Sequence, residues 1–407
     1  MNDLCERKQD ILGIISKLDI SPTMFQNATE KYKAISTFLI NHGIDADMYP
    51  QGSFAFGTVI RPYPSNKTSA YDLDFICQVN KTRDEITPSE LRNLLEEALN
   101  DDERYKKMLT VYHECFTLEY ADIDGIGFSI DIVPACNETE VRKLELIRKS
   151  SRPDLLDTAI AIPRHNGERN YSWMTNNPKG FISWFEAVNQ PFLSYHRNER
   201  LLNILNSNPY LYRSVEEIPV GLERSSLQRV IQILKFHRDI FYNNIHRDEI
   251  KPISAIINTL SAQIAQNANV QSDVFDLMDY VLSELNIYSN LISMNSADFI
   301  SSYNKRPVIS RDSVNRKWII QNPADPDDNL ADKWNEDSDI PKFFFIWVRA
   351  CYNDIIRSLS MSNSQFRTAI ENAFSPWIVN KNWGDKYKTN NYVIPKPIIT
   401  TPRPYRK

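Results

Sequence analysis

Glycine is scarce in this chain. Ten glycines among 407 residues fall well below the usual share of about 7%. No G-x-G-x-x-G occurs, which takes the main support from a Rossmann dinucleotide site. No apolar run approaches the roughly 18 residues that a membrane-spanning helix needs, so no such helix and no membrane partner are expected. The start, MNDLCERKQD, is polar and mixed in charge and carries no signal-peptide or transit-peptide character. Five cysteines (Cys5, Cys77, Cys115, Cys136, Cys351) stand at no metal-ligand spacing. That odd, unpatterned count fits a reducing cytoplasm better than a disulfide framework. A basic excess is missing too, since the formal net charge is −5 with a pI near 5.8. A constitutive, non-specific binder of nucleic acid neutralises phosphates with Lys and Arg, so neither DNA nor RNA is expected as the main partner. None of the six histidines belongs to a nucleophile motif, and His237, in KFHRD, reads as structural or solvated.

What is present is an ordinary globular composition, with 42% hydrophobic and 24% charged residues in a chain long enough for two domains. Residues 5–17 and 22–42 are predicted helices; in the second, Met24, Ala28, Tyr32, Ile35 and Leu39 recur at helical spacing. Short apolar runs at 54–60, 72–79, 108–120 and 126–133 read as strands of one sheet, with a helix at 88–100 and a hairpin turn at Asp124-Gly125. The rest is mainly helical, at 179–190, 197–206, 223–244, 252–267, 271–289, 341–359 and 362–374, with a short strand at 316–320. From Ser375 the chain turns basic and proline-rich, as an arm packed on the surface or a loose tail. The expected division is a catalytic core with N-terminal helices over 1–175, a helical C-terminal lobe over 176–375 and a tail over 376–407.

D-x-D occurs five times, and four of the five (Asp45/Asp47, Asp122/Asp124, Asp325/Asp327, Asp337/Asp339) sit in turn-like or polar stretches that suggest solvated loops. Asp72-Leu73-Asp74-Phe75-Ile76-Cys77 has instead the flanks of a buried strand. Side chains alternate across a strand, so Asp72 and Asp74 share one face while Leu73, Phe75 and Cys77 share the other. Asp131 stands likewise between Ile130 and Ile132 in a second apolar run. Two acids from one strand and one from its neighbour form a cluster of like charges that stays ionised around divalent metal. Oxygen-only ligation points to Mg2+ or Mn2+, two ions in all, and not to zinc; Arg or backbone donors to the same acids are the structural alternative. Upstream, Gly52-Ser53 opens QGSFAFGT, where glycine lets the backbone approach a phosphate and Ser53 can donate to it. A P-loop is excluded because Thr58 stands where that motif requires lysine. A phosphate grip followed by metal-binding acids on neighbouring strands describes two-metal nucleotidyl transfer.

At these residues the sequence resembles the polymerase-β-type nucleotidyltransferase superfamily. The succession QGSFAFGTVIRP, YDLDFICQV, FSIDIVPA, TNNPKGFISWF, LQRVIQILKFHRD, KPISAII and NPADPDDNLADKW is similar, over about residues 50–340, to bacterial cyclic GMP–AMP synthase-like (cGAS/DncV-like, CD-NTase) enzymes of CBASS anti-phage operons. The resemblance implies an α/β (α+β) fold with a mixed-sheet catalytic lobe and a helical C-terminal lobe. It implies an enzyme that joins NTPs, ATP among them, into a cyclic di- or trinucleotide second messenger for a separate effector, with an operon-encoded regulator as a further partner. By position, Gly52 and Ser53 would hold the donor triphosphate, Asp72 and Asp74 both metals, and Asp131 the catalytic metal and the acceptor hydroxyl. Lys235 and Ser254 would contact the triphosphate from the helical lobe. Read from the residues alone, Lys235 sits at the margin of an apolar helix stripe, where a solvated lysine is ordinary, and Ser254 reads as a helix cap or a phosphate contact.

Three departures accompany the resemblance. The stretch PYPSNKTSA between Ser53 and Asp72 reads as a flexible lid insertion, and no zinc-binding Cys/His cluster or basic DNA-binding face is present. Tyr405-Arg406-Lys407 does not offer the C-terminal glycine or alanine through which some members are conjugated. The alternatives are a toxin-like transferase that modifies a protein or RNA, and an inactive nucleotide-binding scaffold. RNA modification would call for a basic groove, protein modification would not need the large helical lobe, and the intact acids argue against a scaffold.

Overall fold

A computed structural model describes residues 3–60, 70–123, 126–168, 170–207, 223–294, 296–303, 305–312 and 314–388. The lid stretch PYPSNKTSA, apart from Ala70, and the Asp124-Gly125 turn lie outside the described residues, as does 389–407 of the basic tail.

Two helices open the chain, α1 (Asp3–Ser16) and α2 (Pro22–Asn41), the second started by the Ser21 hydroxyl accepting from the Met24 N–H and by Pro22 at its first turn. There follow β1 (Ala46–Pro50), α3 (Gly52–Ala55), β2 (Ala70–Thr82), α4 (Pro88–Asp101), α5 (Glu103–Met108), β3 (Leu109–Val111), β4 (Phe116–Ile123), β5 (Ile126–Asn137), α6 (Glu140–Lys149), β6 (Ile160–His165) and β7 (Tyr171–Asn176). These strands form a seven-stranded mixed sheet in the order β1-β2-β5-β4-β3, with β6 added to β5 and β7 to β6. β2 and β5 are parallel and every other pair is antiparallel. A parallel pair needs a crossover, and here α4, α5 and the β3–β4 hairpin supply it. Leu73, Phe75 and Cys77 of β2 and Ile130 and Ile132 of β5 point into one core with α2 and α4. The opposite face of β2 carries Asp74 and then Ile76, which joins a smaller cluster with Ala135, Ile160 and Ile162.

From α7 (Pro178–Ser207) the chain is helical: α8 (Ser226–Asn244), α9 (Ser254–Ala265), α10 (Val274–Ile287), α11 (Ser296–Tyr303), the hairpin β8 (Ser310–Arg311) and β9 (Trp318–Ile319), α12 (Asp332–Glu336), α13 (Asp339–Cys351), α14 (Asn363–Phe374) and α15 (Pro376–Trp383). They share a second core, built around Leu227, Val230, Ile231 and Leu234 of α8, which also takes in Ile11, Ile14 and Ile15 of α1. Among the described residues no helix is long and apolar enough to cross a membrane.

Four sequence expectations change. Residues 54–60 are not a strand: Phe54 and Phe56 alternate with small residues because α3 straddles the two cores, Phe54 packing on Phe25 and Phe75 and Phe56 on Phe181 and Phe185. The run 108–120 is interrupted by a tight connection in which the Tyr112 N–H donates to the Cys115 carbonyl. Helices 179–190 and 197–206 are one, because buried Phe185, Val188 and Phe192 keep the apolar stripe unbroken past Pro191. The tail is anchored at its start, where Ile378, Val379 and Trp383 of α15 are buried in the helical core.

Candidate functional site

Parallel pairing of β2 with β5 sets Asp74 directly beside Asp131 and Asp72 beside Ser129. Neighbouring strands are about 4.8 Å apart, so the two paired aspartates present carboxylates on one face within reach of a shared ion. Both are half-buried and both line a cleft of about 520 Å3 between the sheet and the helices. Thr117 of β4 stands opposite Asp131 on its other side, and its hydroxyl donates to Asp131 Oδ1 at 2.6 Å. Burial, with the negative charges of Asp131 and Asp74 adding to it, pushes the nearby Cys115 thiol up to about 11. The backbone of Asp72 is in place on β2, and its side chain lies outside the described residues.

The glycine–serine turn fits closely under Asp74. Gly52 has φ +61°, and a Cβ there would fall 2.4 Å from Asp74 Oδ2. The Gln51 N–H donates to the Asp74 carbonyl at 2.8 Å, and the Thr58 N–H to the Ser53 carbonyl at 2.9 Å. Gly52 and Ser53 therefore line the cleft beside the acids.

The helical wall reaches over the same turn. On α8, Gln228, Gln232 and Lys235 recur at helical spacing and donate in sequence to the carbonyls of Phe56 (2.9 Å), Val59 (2.9 Å) and Thr58 (3.0 Å). Lys235 is thus not a solvated surface lysine. It is 5% exposed, and burial pulls its ammonium down to about 7, Arg238 adding to the fall while Asp239 and Asp74 oppose it. The P-loop position occupied by Thr58 lacks a lysine in the chain, and α8 brings one to the Thr58 carbonyl from the other lobe.

Ser254 opens α9 but does not cap it; the cap residue is Ile253, and the Ser254 hydroxyl accepts from Arg238 Nη1 at 3.2 Å. Arg238, nearly buried, also donates to the Pro252 carbonyl and pairs with Asp239. One turn beyond Ser254, Asn258 faces the cleft and is 3% exposed, its Oδ1 without a hydrogen-bond partner among the described residues. Sequence reasoning missed Arg238 and Asn258, although each follows an expected site residue by three or four helical positions. His237 is structural, held between Asp354 (3.2 Å) and Trp347 Nε1 (3.1 Å).

The acidic loop before α12 departs from the solvated expectation. Asp327 pairs with Arg142 and Lys149 of α6, and Asp325 is 3% exposed. Across the same junction, Asn177 donates to the Ala324 carbonyl.

The donor set tests the expected metals. Among the described residues no group of three or more His, Cys, Asp or Glu side chains could hold an ion; two adjacent carboxylates are present, and Asp72 would be the third. Those oxygens, beside a thiol that stays protonated, suit Mg2+ or Mn2+.

Residues 8–151 match the Second Messenger Oligonucleotide or Dinucleotide Synthetase domain. In that segment and in its fold the chain is similar to cGAS/DncV-like nucleotidyltransferases. It is 24% identical over 341 residues to a c-di-GMP synthase of Roseivirga ehrenbergii, covering 83% of this chain and 75% of that protein. The fold is shared with Bradyrhizobium diazoefficiens CdnG, solved with GTP (TM-score 0.59, 17% identity, 91% of this chain and 96% of that one). It is shared also with E. coli MS115-1 CdnC, solved in a complex with HORMA-deltaN (TM-score 0.55, 14% identity, 90% and 96%). A Vibrio cholerae di-nucleotide cyclase, solved with ATP and GTP, matches less closely (TM-score 0.51, 14% identity, 83% and 72%). Within that shared fold, a mixed sheet carries the paired acids of this chain and helices face them across the cleft.

Proposed function

We propose that this chain joins nucleoside triphosphates into a cyclic oligonucleotide, releasing pyrophosphate at each bond formed. The observation that carries the reading is the register of Asp74 with Asp131 in a cleft closed on one side by Gly52-Ser53 and on the other by Lys235.

Gly52 and Ser53 would receive the donor triphosphate from the sheet side, where the absence of a Cβ on Gly52 lets the turn lie close under the Asp74 carboxylate. Lys235 and Ser254 would grip it from the helical side, with Arg238 adding positive charge behind them. Two divalent cations held by Asp72, Asp74 and Asp131 would supply Lewis-acid stabilisation of the charge developing on the phosphates. Asp131 would take the proton of the acceptor hydroxyl as that oxygen bonds the α-phosphorus and the bond to the β-phosphate breaks. One or two further turns of the same chemistry would close a cyclic di- or trinucleotide.

A division into a catalytic core (1–175), a helical lobe (176–375) and a tail (376–407) fits this reading, α1 then reaching from the first into the second. So does a cytoplasmic role in anti-phage signalling, in which the product acts on a separate effector and an operon-encoded regulator controls the enzyme. The complex of the CdnC relative with HORMA-deltaN supports the regulator.

The test is incubation of the purified chain with Mg2+ or Mn2+ and an equimolar mixture of four labelled NTPs, then phosphatase and mass spectrometry. A phosphatase-resistant cyclic product is expected. A labelled macromolecule in its place, or no turnover with either metal, overturns the reading.

A further inference from the structure

One polar residue beside the acids has no part in the chemistry above. Thr117 lies on β4, whose antiparallel register places it directly opposite Asp131 of β5, while β2 places Asp74 opposite the same residue from the other side. Asp74, Asp131 and Thr117 thus form one rung across three strands. Their neighbours Phe116, Leu118, Ile130 and Ile132 are fully buried on the opposite face, so the strand backbones that hold the rung are fixed by the core. Thr117 is 7% exposed, and its hydroxyl donates to Asp131 Oδ1 at 2.6 Å, within the range of a charge-assisted bond.

The geometry points to Thr117 as a positioning residue that holds the Asp131 carboxylate in its metal-binding orientation before any cation arrives. The inference rests on the reading of Asp74 and Asp131 as metal ligands. Two carboxylates abreast on adjacent strands repel, and an aspartate can relieve this by turning about its terminal torsion, which is broad and weakly restrained. A hydroxyl donor on the side away from Asp74 opposes that turn. β-Branching limits the Thr117 rotamers, so the donor itself is stiff. Partners that orient a metal ligand typically change metal affinity 10- to 100-fold when removed.

The experiment compares the full chain with Thr117→Val, Thr117→Ala and Thr117→Ser, measuring Mn2+ binding without nucleotide from the electron paramagnetic resonance signal of free Mn2+. Valine keeps the shape and β-branching, alanine removes both, and serine keeps the hydroxyl. The expected result is about tenfold weaker Mn2+ binding in the valine and alanine variants, with serine within about threefold of the native chain. NTP binding in chelator and the melting temperature should stay near native in the valine variant. Activity lost by the valine variant should return as the metal concentration is raised. Native-like Mn2+ binding by the valine variant, or an equal loss in valine and serine, overturns the positioning role while leaving the site intact. Absence of Mn2+ binding by the native chain overturns the metal reading and this inference with it.

Discussion

The Lys235 ammonium donates to the Thr58 carbonyl at 3.0 Å, so a helix of one lobe holds the loop that follows the glycine–serine turn of the other. Gln228 and Gln232 make the same kind of bond to Phe56 and Val59, and Arg229 pairs with Asp19 beside them. The cleft therefore has a fixed wall at the point where a triphosphate would lie.

That wall has a pH signature. Burial lowers Lys235 to about 7, so in the free protein the ammonium loses its proton near neutrality. A bound triphosphate favours the charged form, and binding above pH 7 must then take up a proton. The expected NTP affinity is level below about pH 7 and falls toward tenfold per unit above it. Calorimetry from pH 6 to 9 on the native chain and on Lys235→Met checks this; the variant should bind more weakly at pH 6.5 and show a flat profile. A native profile without the fall removes Lys235 from the phosphate site. For stability the sign is reversed, because the buried charge costs most below pH 7 and is relieved as pH rises from 7 toward the ordinary lysine value.

Asp74 and Asp131 are the second test. Adjacent carboxylates destabilise the fold they serve, a common trade at functional sites. Asp74→Asn keeps the shape and removes one charge. The expected outcome is a loss of about a thousandfold or more in product formation with a melting temperature equal to or above native. A variant that keeps a tenth of its activity would show that Asp74 holds no catalytic cation. Asp72→Asn, combined with Asp74→Asn, should abolish product and leave the fold intact.

Gly52 is the third. Its φ of +61° lies where side chains are disfavoured, and a Cβ would meet Asp74 Oδ2 at 2.4 Å. Gly52→Ala must displace the carboxylate or the turn. Backbone strain of this kind costs about 1–3 kcal/mol, and activity should fall at least tenfold as Asp74 shifts. A control at Gly43, which has a similar φ and open space around the same position, should lose stability without losing activity.

The sequence carried the acids and the sheet plainly, because an Asp alternating with buried apolar residues keeps the strand period while setting a charge on the face opposite the core. β2 and β5 appear where Asp72, Asp74 and Asp131 predicted them. Residues 54–60 misled because alternation also arises when neighbouring side chains enter two different cores, as Phe54 and Phe56 do. Lys235 misled in the other direction: a helix buried nearly all round has no solvated margin, and Gln228, Gln232 and Lys235 find their acceptors across the lobe boundary. The stripe Gln228, Gln232, Lys235 was visible as a spacing, but its acceptors are loop carbonyls that no spacing reveals. Asn258 and Arg238 depend on how α8 and α9 meet, which is a matter of packing.

Asp325 supplies the last test, away from the cleft. Its carboxyl is 3% exposed, and burial raises it to about 6, Asp328 and Asp327 adding to the rise while the Asp327 N–H and Arg142 oppose it. The fold thus prefers the protonated acid. The stabilising contribution is full below the ordinary aspartate value near 4 and is lost as pH rises through 6. Asp325→Asn keeps an oxygen to accept from the Asp327 N–H, now at 3.0 Å, and carries no charge to bury. At pH 8 the variant should melt roughly 2 °C above the native chain, and at pH 4 the two should coincide. If the variant melts lower at pH 8, the ionised carboxylate is instead an anchor for Arg142, and the loop that pairs Asp327 with Arg142 and Lys149 depends on both acids. Scanning calorimetry at the two pH values separates these outcomes.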